Sequence, residues 1–184
     1  MKHVWFVVLA FAVLSGACGK KEPTGPSTDY SAYFPLDVNY KWYFYYPQTP
    51  TATVIYRIWG TQTIDGKLYY QYGNKAETSD LFRKDAHGNV FKKRPAGEVL
   101  WFNFDTADGG NYQVKLSDKF IYTVTVAKNQ TVTYDGRTFT DCVIFSFDAL
   151  NLTDEEIRYT IAPEVGIVQM IGAYVTLYLD SYEF

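Results

Sequence analysis

From residue 40 onward, apolar and polar side chains alternate along the chain with a period of two. Tyr122, Val124 and Val126, for example, lie on one face of an extended segment, whereas Thr123 and Thr125 lie on the other. Such alternation predicts strands that turn one face toward a core, and no stretch has the 3.6-residue period of an amphipathic helix. The pattern predicts about ten to eleven strands, drawn from the segments 40–46, 53–63, 67–73, 79–85, 90–94, 98–104, 112–117, 120–127, 130–134, 137–148, 155–162 and 166–180.

Turn-forming residues separate these segments at short intervals. Asp65-Gly66 and Asp135-Gly136 are dipeptides that a type I′ turn prefers, because both central residues of that turn need φ > 0. Consecutive hairpins make a meander, and a sheet with many strands hides its edges by closing on itself. The sequence therefore predicts an all-β fold, an antiparallel meander that forms a half-open or closed β-barrel with few or no helices. Further reversals are predicted at His87-Gly88-Asn89, Asp108-Gly109-Gly110-Asn111 and Lys128-Asn129-Gln130, and a break near Gly172.

The first residues have a different hydrophobic pattern. Lys2 supplies a positive charge, and residues 4–14 then carry no polar side chain. As a helix these residues would extend about 16 Å, roughly half of the ~30 Å hydrocarbon core of a bilayer. The small residues Gly16 and Ala17 follow, directly before Cys18. This organisation predicts a signal peptide at residues 1–17 rather than a permanent transmembrane helix.

The segment Leu14-Ser15-Gly16-Ala17-Cys18 resembles the lipobox of bacterial lipoprotein signal peptides, with Ser15 in place of the usual aliphatic residue. The resemblance implies cleavage before Cys18 and lipid attachment to its thiol, whose thiolate is the nucleophile. Each buried CH₂ of an acyl chain stabilises membrane binding by about 0.8 kcal/mol. Because Gly19 and not an aspartate follows the cysteine, the resemblance favours the outer membrane, on either its periplasmic or its cell-surface side. Residues 18–29 are predicted to be a flexible tether, and residues 30–184 a single β-domain.

Two further segments carry a second resemblance. Residues 34–43, Phe-Pro-Leu-Asp-Val-Asn-Tyr-Lys-Trp-Tyr, and residues 161–168, Ile-Ala-Pro-Glu-Val-Gly-Ile-Val, are similar to paired segments of a broad group of uncharacterised secreted bacterial lipoproteins. Asn39 and Glu164 stand where that group has glycine. The resemblance implies an antiparallel half-barrel or barrel and no particular activity.

Composition and charge argue against several classes of function. The chain has 17 basic and 20 acidic residues, a formal net charge of −3, whereas a nucleic-acid partner usually requires a basic surface. If Cys18 is lipidated, Cys142 and His87 are the remaining cysteine and histidine beyond the signal peptide, too few for a typical zinc site. Cys142 lies in a strand-like run and is expected to be a small buried hydrophobe. We expect no cofactor, no metal and no enzymatic activity.

Positive charges flank the predicted turn at residues 87–89. Pairing of the two flanking strands would gather these charges on one hairpin, where they could meet phospholipid headgroups or anionic glycans. The favoured interpretation is a solvated hairpin whose charges deter aggregation through the sheet edge. The residues concerned are Arg83, Lys84, Lys92, Lys93 and Arg94.

Aromatic residues make up 18% of the chain, and five are candidate ligand contacts: Trp42, Trp59, Trp101, Tyr174 and Tyr178. Such residues fill a core, line an apolar cavity or form an exposed platform for sugars. Tyr174 and Tyr178 are the better platform candidates because they alternate with an apolar face. The leading hypothesis is a membrane-anchored lipoprotein with a non-catalytic barrel-like domain that binds an apolar ligand or an envelope protein. The alternative is a cell-surface lipoprotein that binds glycans.

Overall fold

The computed structural model describes residues 29–117, 120–149, 152 and 155–184. The predicted signal peptide at 1–17, Cys18 and all of the predicted tether except Asp29 lie outside the described residues. The described part contains two three-residue 3₁₀ helices, Tyr30–Ala32 and Ala76–Thr78, and no α-helix. Its strands are β1 (Lys41–Tyr46), β2 (Thr49–Ile64), β3 (Lys67–Gly73), β4 (Asp80–Lys84), β5 (Val90–Arg94), β6 (Gly97–Phe102), β7 (Asn111–Lys115), β8 (Ile121–Tyr134), β9 (Arg137–Asp148), β10 (Ile157–Ala162), β11 (Gly166–Gly172) and β12 (Thr176–Glu183).

All twelve strands form one antiparallel sheet in the order β6-β5-β4-β3-β2-β1-β12-β11-β10-β9-β8-β7. Each strand pairs with the next along the chain except β6 with β7, which are the two edges, and β1 also pairs with β12. The Tyr112 hydroxyl bridges these edges, because it donates to the Trp101 carbonyl oxygen at 2.6 Å and accepts from the Asn103 backbone N–H at 3.1 Å. The sheet is a nearly closed barrel, and the predicted all-β antiparallel meander is confirmed.

The strand boundaries agree closely with the alternation in the sequence, with two differences. The sheet has twelve strands, not ten to eleven. The reversal predicted at Lys128-Asn129-Gln130 is wrong, because β8 runs through it and pairs with β9 on both sides. Asn129 has the positive φ of a turn residue, 54°, but the irregular register around it makes this a bulge within a continuous strand.

The two predicted type I′ turns are confirmed by their backbone conformation. Asp65 and Gly66 have φ values of 51° and 73°, and Asp135 and Gly136 have values of 47° and 74°. These hairpins join β2 to β3 and β8 to β9, so that local turn chemistry fixes the register of both pairs.

The segment before β1 packs inside the barrel. Tyr33 and Phe34 are 5% and 3% exposed. The Phe34 ring makes edge-to-face contacts with Tyr72, Phe82 and Phe102 at centroid distances of 5.6–5.8 Å. This segment therefore supplies core side chains to an interior that is walled by the strands.

The two segments that resemble paired lipoprotein segments lie against each other. The Trp42 indole Nε1 donates to the Val165 carbonyl oxygen at 2.6 Å. Gly166 has a φ of 89°, and a Cβ there would stand 3.2 Å from Cδ of Pro35, so both the backbone conformation and the close approach of the segments favour glycine. Asn39 and Glu164, which stand where the resembled pattern has glycine, have φ values of 79° and 63°. Both positions hold the left-handed conformation that glycine adopts most readily.

Replacing Glu164 by glycine is expected to raise the free energy of unfolding by about 0.5–1 kcal/mol. A left-handed conformation costs a residue with a side chain roughly 1–2 kcal/mol, and glycine would remove this cost. The greater conformational freedom of glycine in the unfolded chain offsets part of the resulting stabilisation. Chemical denaturation measures the change. Glu156→Gly is the control, because Glu156 lacks a positive φ and should show no gain.

A charged cluster joins four strands on the outer face of the sheet. The Glu98 carboxylate on β6 accepts hydrogen bonds from Arg83 on β4, from the Tyr69 hydroxyl on β3 at 2.7 Å and from Lys67 at 3.1 Å. The Arg83 guanidinium also lies 4.1 Å from the centroid of the Phe91 ring on β5. The hydrogen bond from Arg83 is the main cause that lowers the pKa of Glu98 to about 2.

Stability is expected to fall by roughly 2–3 kcal/mol as the pH is lowered from about 5 to about 2, through protonation of Glu98. The folded-state pKa lies below the ordinary value of 4.5, so the contribution is complete above that value and is lost as the pH falls toward 2. Denaturant titrations across this range should show the loss in wild type and a weaker dependence in Glu98→Gln. The exposed Glu156→Gln serves as the control and should retain the wild-type profile.

Candidate functional site

The barrel interior contains a cavity of about 170 Å³. Asn74 and Thr78, in the connection between β3 and β4, line the cavity and are also exposed, so the cavity reaches solvent beside this connection. Its other lining residues come from both halves of the sheet and are mainly aromatic: Phe34, Tyr56, Tyr72, Gly73, Asp80, Phe82, Lys92, Trp101, Phe102, Tyr159, Ile167 and Met170.

Strand alternation directs two charged side chains toward this cavity. Lys92 lies on the same face of β5 as the fully buried Val90, and Asp80 lies on the same face of β4 as the buried Phe82. Phe82 is the direct cross-strand neighbour of Lys92. The period of two that builds the core therefore also places an ammonium inside it and a carboxylate at the edge of the cavity.

The buried ammonium has one charged partner and one aromatic partner. Lys92 is 9% exposed, and its Nζ donates to Oδ2 of Asp80 at 2.7 Å. The same Nζ lies 4.5 Å from the centroid of the Trp101 ring, within the range of a cation–π interaction. An ammonium has three N–H donors, and for the other two the described residues offer no acceptor. The Asp80 side chain is 45% exposed and so extends toward solvent.

A bulge in β6 turns Trp101 inward. In the pairing of β5 with β6, Phe91 faces Leu100 and Val90 faces Phe102, which leaves Trp101 as an extra residue. Trp101 and Phe102 are consecutive, yet they are 8% and 1% exposed. The bulge thus gives the interior two adjacent aromatic rings where strict alternation would give one.

Three tyrosine hydroxyls at the cavity have no hydrogen-bond partner in the described part of the chain: those of Tyr56, Tyr72 and Tyr159. Burial is the largest cause that raises the pKa of each of these phenols. The neighbouring Tyr56 raises the pKa of Tyr72 and of Tyr159 further, and Asp80 does so for Tyr56 and Tyr159. The hydroxyls are therefore protonated at neutral pH and can donate hydrogen bonds. By contrast, the buried Tyr134 hydroxyl donates to the Val168 carbonyl oxygen at 2.8 Å.

Of the three tryptophans predicted as ligand contacts, Trp101 lines the cavity. Trp42 is 2% exposed and packs edge-to-face on Tyr72 at 5.4 Å. Trp59 is half-buried beneath the Arg57 guanidinium at 4.2 Å, and its Nε1 donates to the Gly73 carbonyl oxygen at 2.9 Å. Neither Trp42 nor Trp59 is among the lining residues.

The two predicted platform tyrosines have different surroundings. Tyr174 lies between β11 and β12 and is 90% exposed. Tyr178 is half-buried, and its ring stacks on Tyr134 at a centroid distance of 4.7 Å. Neither residue lines the interior cavity.

The five positive charges of the β4–β5 hairpin do not form one surface patch. Arg83 points outward to Glu98, Lys92 points inward to Asp80, and Lys84 donates to the Ser31 carbonyl oxygen at 2.6 Å. Sequence reasoning missed Lys92 and Asp80 as cavity residues. Lys92 lies two residues after the buried Val90, so strand alternation indicates that its side chain points into the barrel. Its charge, taken alone, indicates a solvent-exposed side chain.

The described residues contain no group of three or more His, Cys, Asp or Glu side chains placed to hold a metal ion. Cys142 is buried, as predicted, and burial raises the pKa of its thiol to about 11, so the thiol is protonated and a poor nucleophile. In the part of the chain that the structure describes, no helix combines the length and apolarity needed to cross a bilayer.

Two solved structures are similar to this chain. They are a candidate lipoprotein from Parabacteroides distasonis, with 14% identity and a TM-score of 0.39, and a candidate exported protein with a YmcC-like fold from Bacteroides fragilis, with 13% identity and a TM-score of 0.40. Each similarity covers 83% of this chain and 99% of the other. No protein-family model and no curated protein matches the chain. Neither likeness identifies a function.

Proposed function

We propose that this protein is a lipoprotein of the bacterial envelope, anchored in the outer membrane through Cys18, whose barrel binds a small ligand in the interior cavity without catalysis. The observation that carries the proposal is the set of unpaired hydroxyls at the cavity. None of these hydroxyl oxygens is a fully buried atom without a partner, so each remains open to the cavity, although Tyr72 as a residue is only 7% exposed. A bound ligand with polar atoms would supply the missing partners.

The cavity volume limits the size of the ligand. An apolar protein cavity of about 150 Å³ accommodates benzene, and pockets for drug-sized molecules begin at about 300 Å³. At about 170 Å³, this cavity fits a molecule with one ring and a few additional atoms. The sequence predicts an apolar ligand. From the cavity we propose a small molecule with both an apolar and a polar part, and not a long-chain lipid.

The position of the cavity mouth favours a ligand that arrives from water. The Asp80 end of β4 lines the cavity, whereas Lys84 at the other end contacts Ser31, close to where the chain enters the domain. A Cβ on Gly88, in the turn after β4, would stand 2.4 Å from the Tyr30 carbonyl oxygen, which places residue 30 at that same end. A chain anchored through Cys18 would thus enter the barrel at one end and open its cavity near the other.

Calorimetric titration of the full chain in a non-ionic detergent tests the proposal. Benzoate, benzamide and phenol are the probes, and at least one should bind with one-to-one stoichiometry and a dissociation constant on the order of 0.1–1 mM. Thr78→Trp should weaken that binding, because residue 78 lines the cavity and is exposed. The neighbouring Glu77→Trp is the control, since Glu77 does not line the cavity. Flat titrations with all three probes would refute ligand binding in the cavity.

A further inference from the structure

We infer that the cavity selects a ligand bearing a carboxylate, and that this carboxylate replaces Asp80 as the partner of Lys92. The inference rests on the proposed ligand-binding function and names the chemical class of the ligand. Its apolar body would be a single ring or a short branched chain, as the volume of the cavity requires.

The hydrogen-bonding capacity that the cavity leaves unused calls for acceptors on the ligand. Two N–H bonds of Lys92 lack an acceptor in the described part of the chain, and an ammonium cannot accept a hydrogen bond. The hydroxyls of Tyr56, Tyr72 and Tyr159 are further donors. Hydrogen bonds from neutral and cationic donors to an anion are roughly twice as strong as those between neutral groups. A carboxylate, with two oxygens and about four acceptor sites, meets this demand better than a single carbonyl or hydroxyl.

The charge in the cavity permits the exchange of one carboxylate for another. Lys92 is 9% exposed, so its positive charge requires an anionic partner close by. Asp80 supplies that partner without a ligand, but its side chain is 45% exposed and can turn into solvent without becoming a buried unpaired charge. A ligand carboxylate that takes its place keeps the ion pair and leaves Asp80 hydrated.

The surroundings of Lys92 fit the apolar part of such a ligand. Trp101 covers one side of the ammonium at 4.5 Å, and Phe82 lies near it at 5.6 Å. Phe34 and Met170 line the same space. In a ligand whose ring is bonded directly to a carboxylate, the edge of the ring would lie among these side chains. The carboxylate oxygens would then reach the Lys92 ammonium and the tyrosine hydroxyls.

Benzoate and its neutral isostere benzamide separate the effect of charge from that of shape. In calorimetric titrations of the full chain, benzoate should bind at least about tenfold more tightly than benzamide. Lys92→Met, which keeps the length of the side chain, should remove that preference. Asp80→Asn should tighten benzoate binding by about threefold to tenfold, because the competing carboxylate is gone. Lys93→Met is the matched control, since Lys93 points to the outer face and should leave benzoate affinity unchanged.

The outcomes distinguish this inference from the proposal on which it rests. Equal binding of benzoate and benzamide, or an unchanged preference in Lys92→Met, would overturn the carboxylate assignment and leave a cavity that binds small ligands. Tighter binding of methyl glucoside than of benzoate would also overturn it, in favour of a sugar. Absence of binding by every probe would overturn both. Tyr72→Phe adds a readout that does not depend on charge: benzoate binding should weaken severalfold while stability without ligand does not fall.

Discussion

Replacing Phe34 by alanine is expected to lower the free energy of unfolding by about 3–5 kcal/mol, because large aromatic side chains lost from a core cost about this much. Phe34 is 3% exposed, and its ring contacts Tyr72, Phe82 and Phe102. No strand contains it, so the effect would come from a segment that precedes the sheet. Denaturant unfolding followed by tryptophan fluorescence measures the loss.

Phe120→Ala provides the matched control, because Phe120 is 38% exposed and its loss should cost less than about 1 kcal/mol. A loss of similar size in both variants would contradict the placement of Phe34 inside the barrel. Phe34 also lines the cavity, so Phe34→Ala should enlarge the ligand site as well as destabilise the fold.

The architecture was predictable because a meander encodes its strands and turns locally. The alternation around Val124 sorts buried from exposed side chains correctly, since Val124 and Val126 are fully buried and Ile121 is 39% exposed. The Asp65-Gly66 turn could be located because only a few dipeptides tolerate two positive φ values in succession. Both signals depend on residues close together in the chain.

Bulges were not predictable in the same way. Asn129 has the composition and the φ of a turn, but pairing with β9 on both sides keeps β8 continuous. Trp101 becomes an inward bulge residue only because Val90 and Phe91 set the register of the neighbouring strand. These features depend on the partner strand, so a single segment of sequence does not contain them.

The candidate site escaped prediction for an energetic reason. A lysine on a strand is ordinarily assigned to the solvent face, because burial of a charge is costly without a partner. For Lys92 the partners are Asp80, twelve residues earlier, and Trp101, whose direction depends on the bulge. The sequence marks the tryptophans only as single aromatic residues, whereas the cavity consists of the residues packed around Lys92.

Replacing Cys18 by alanine is expected to abolish fatty-acid labelling and to release the domain from the membrane fraction. The physical reason is that a thiolate is the acceptor of the lipid, and alanine offers no nucleophile in its place. Several acyl chains, each stabilised by about 0.8 kcal/mol per buried CH₂, make attachment effectively permanent, whereas a domain without them has no comparable hold. Metabolic labelling with a fatty-acid probe, followed by separation of membrane and soluble fractions, measures both effects.

Cys142→Ala is the control and should remain labelled and membrane-bound, because the Cys142 thiol is buried in the core. Labelling that persists in Cys18→Ala, or a membrane-retained Cys18→Ala product, would show that the anchor lies elsewhere. The proposed orientation of the cavity mouth relative to the membrane depends on attachment through Cys18 and would then no longer hold.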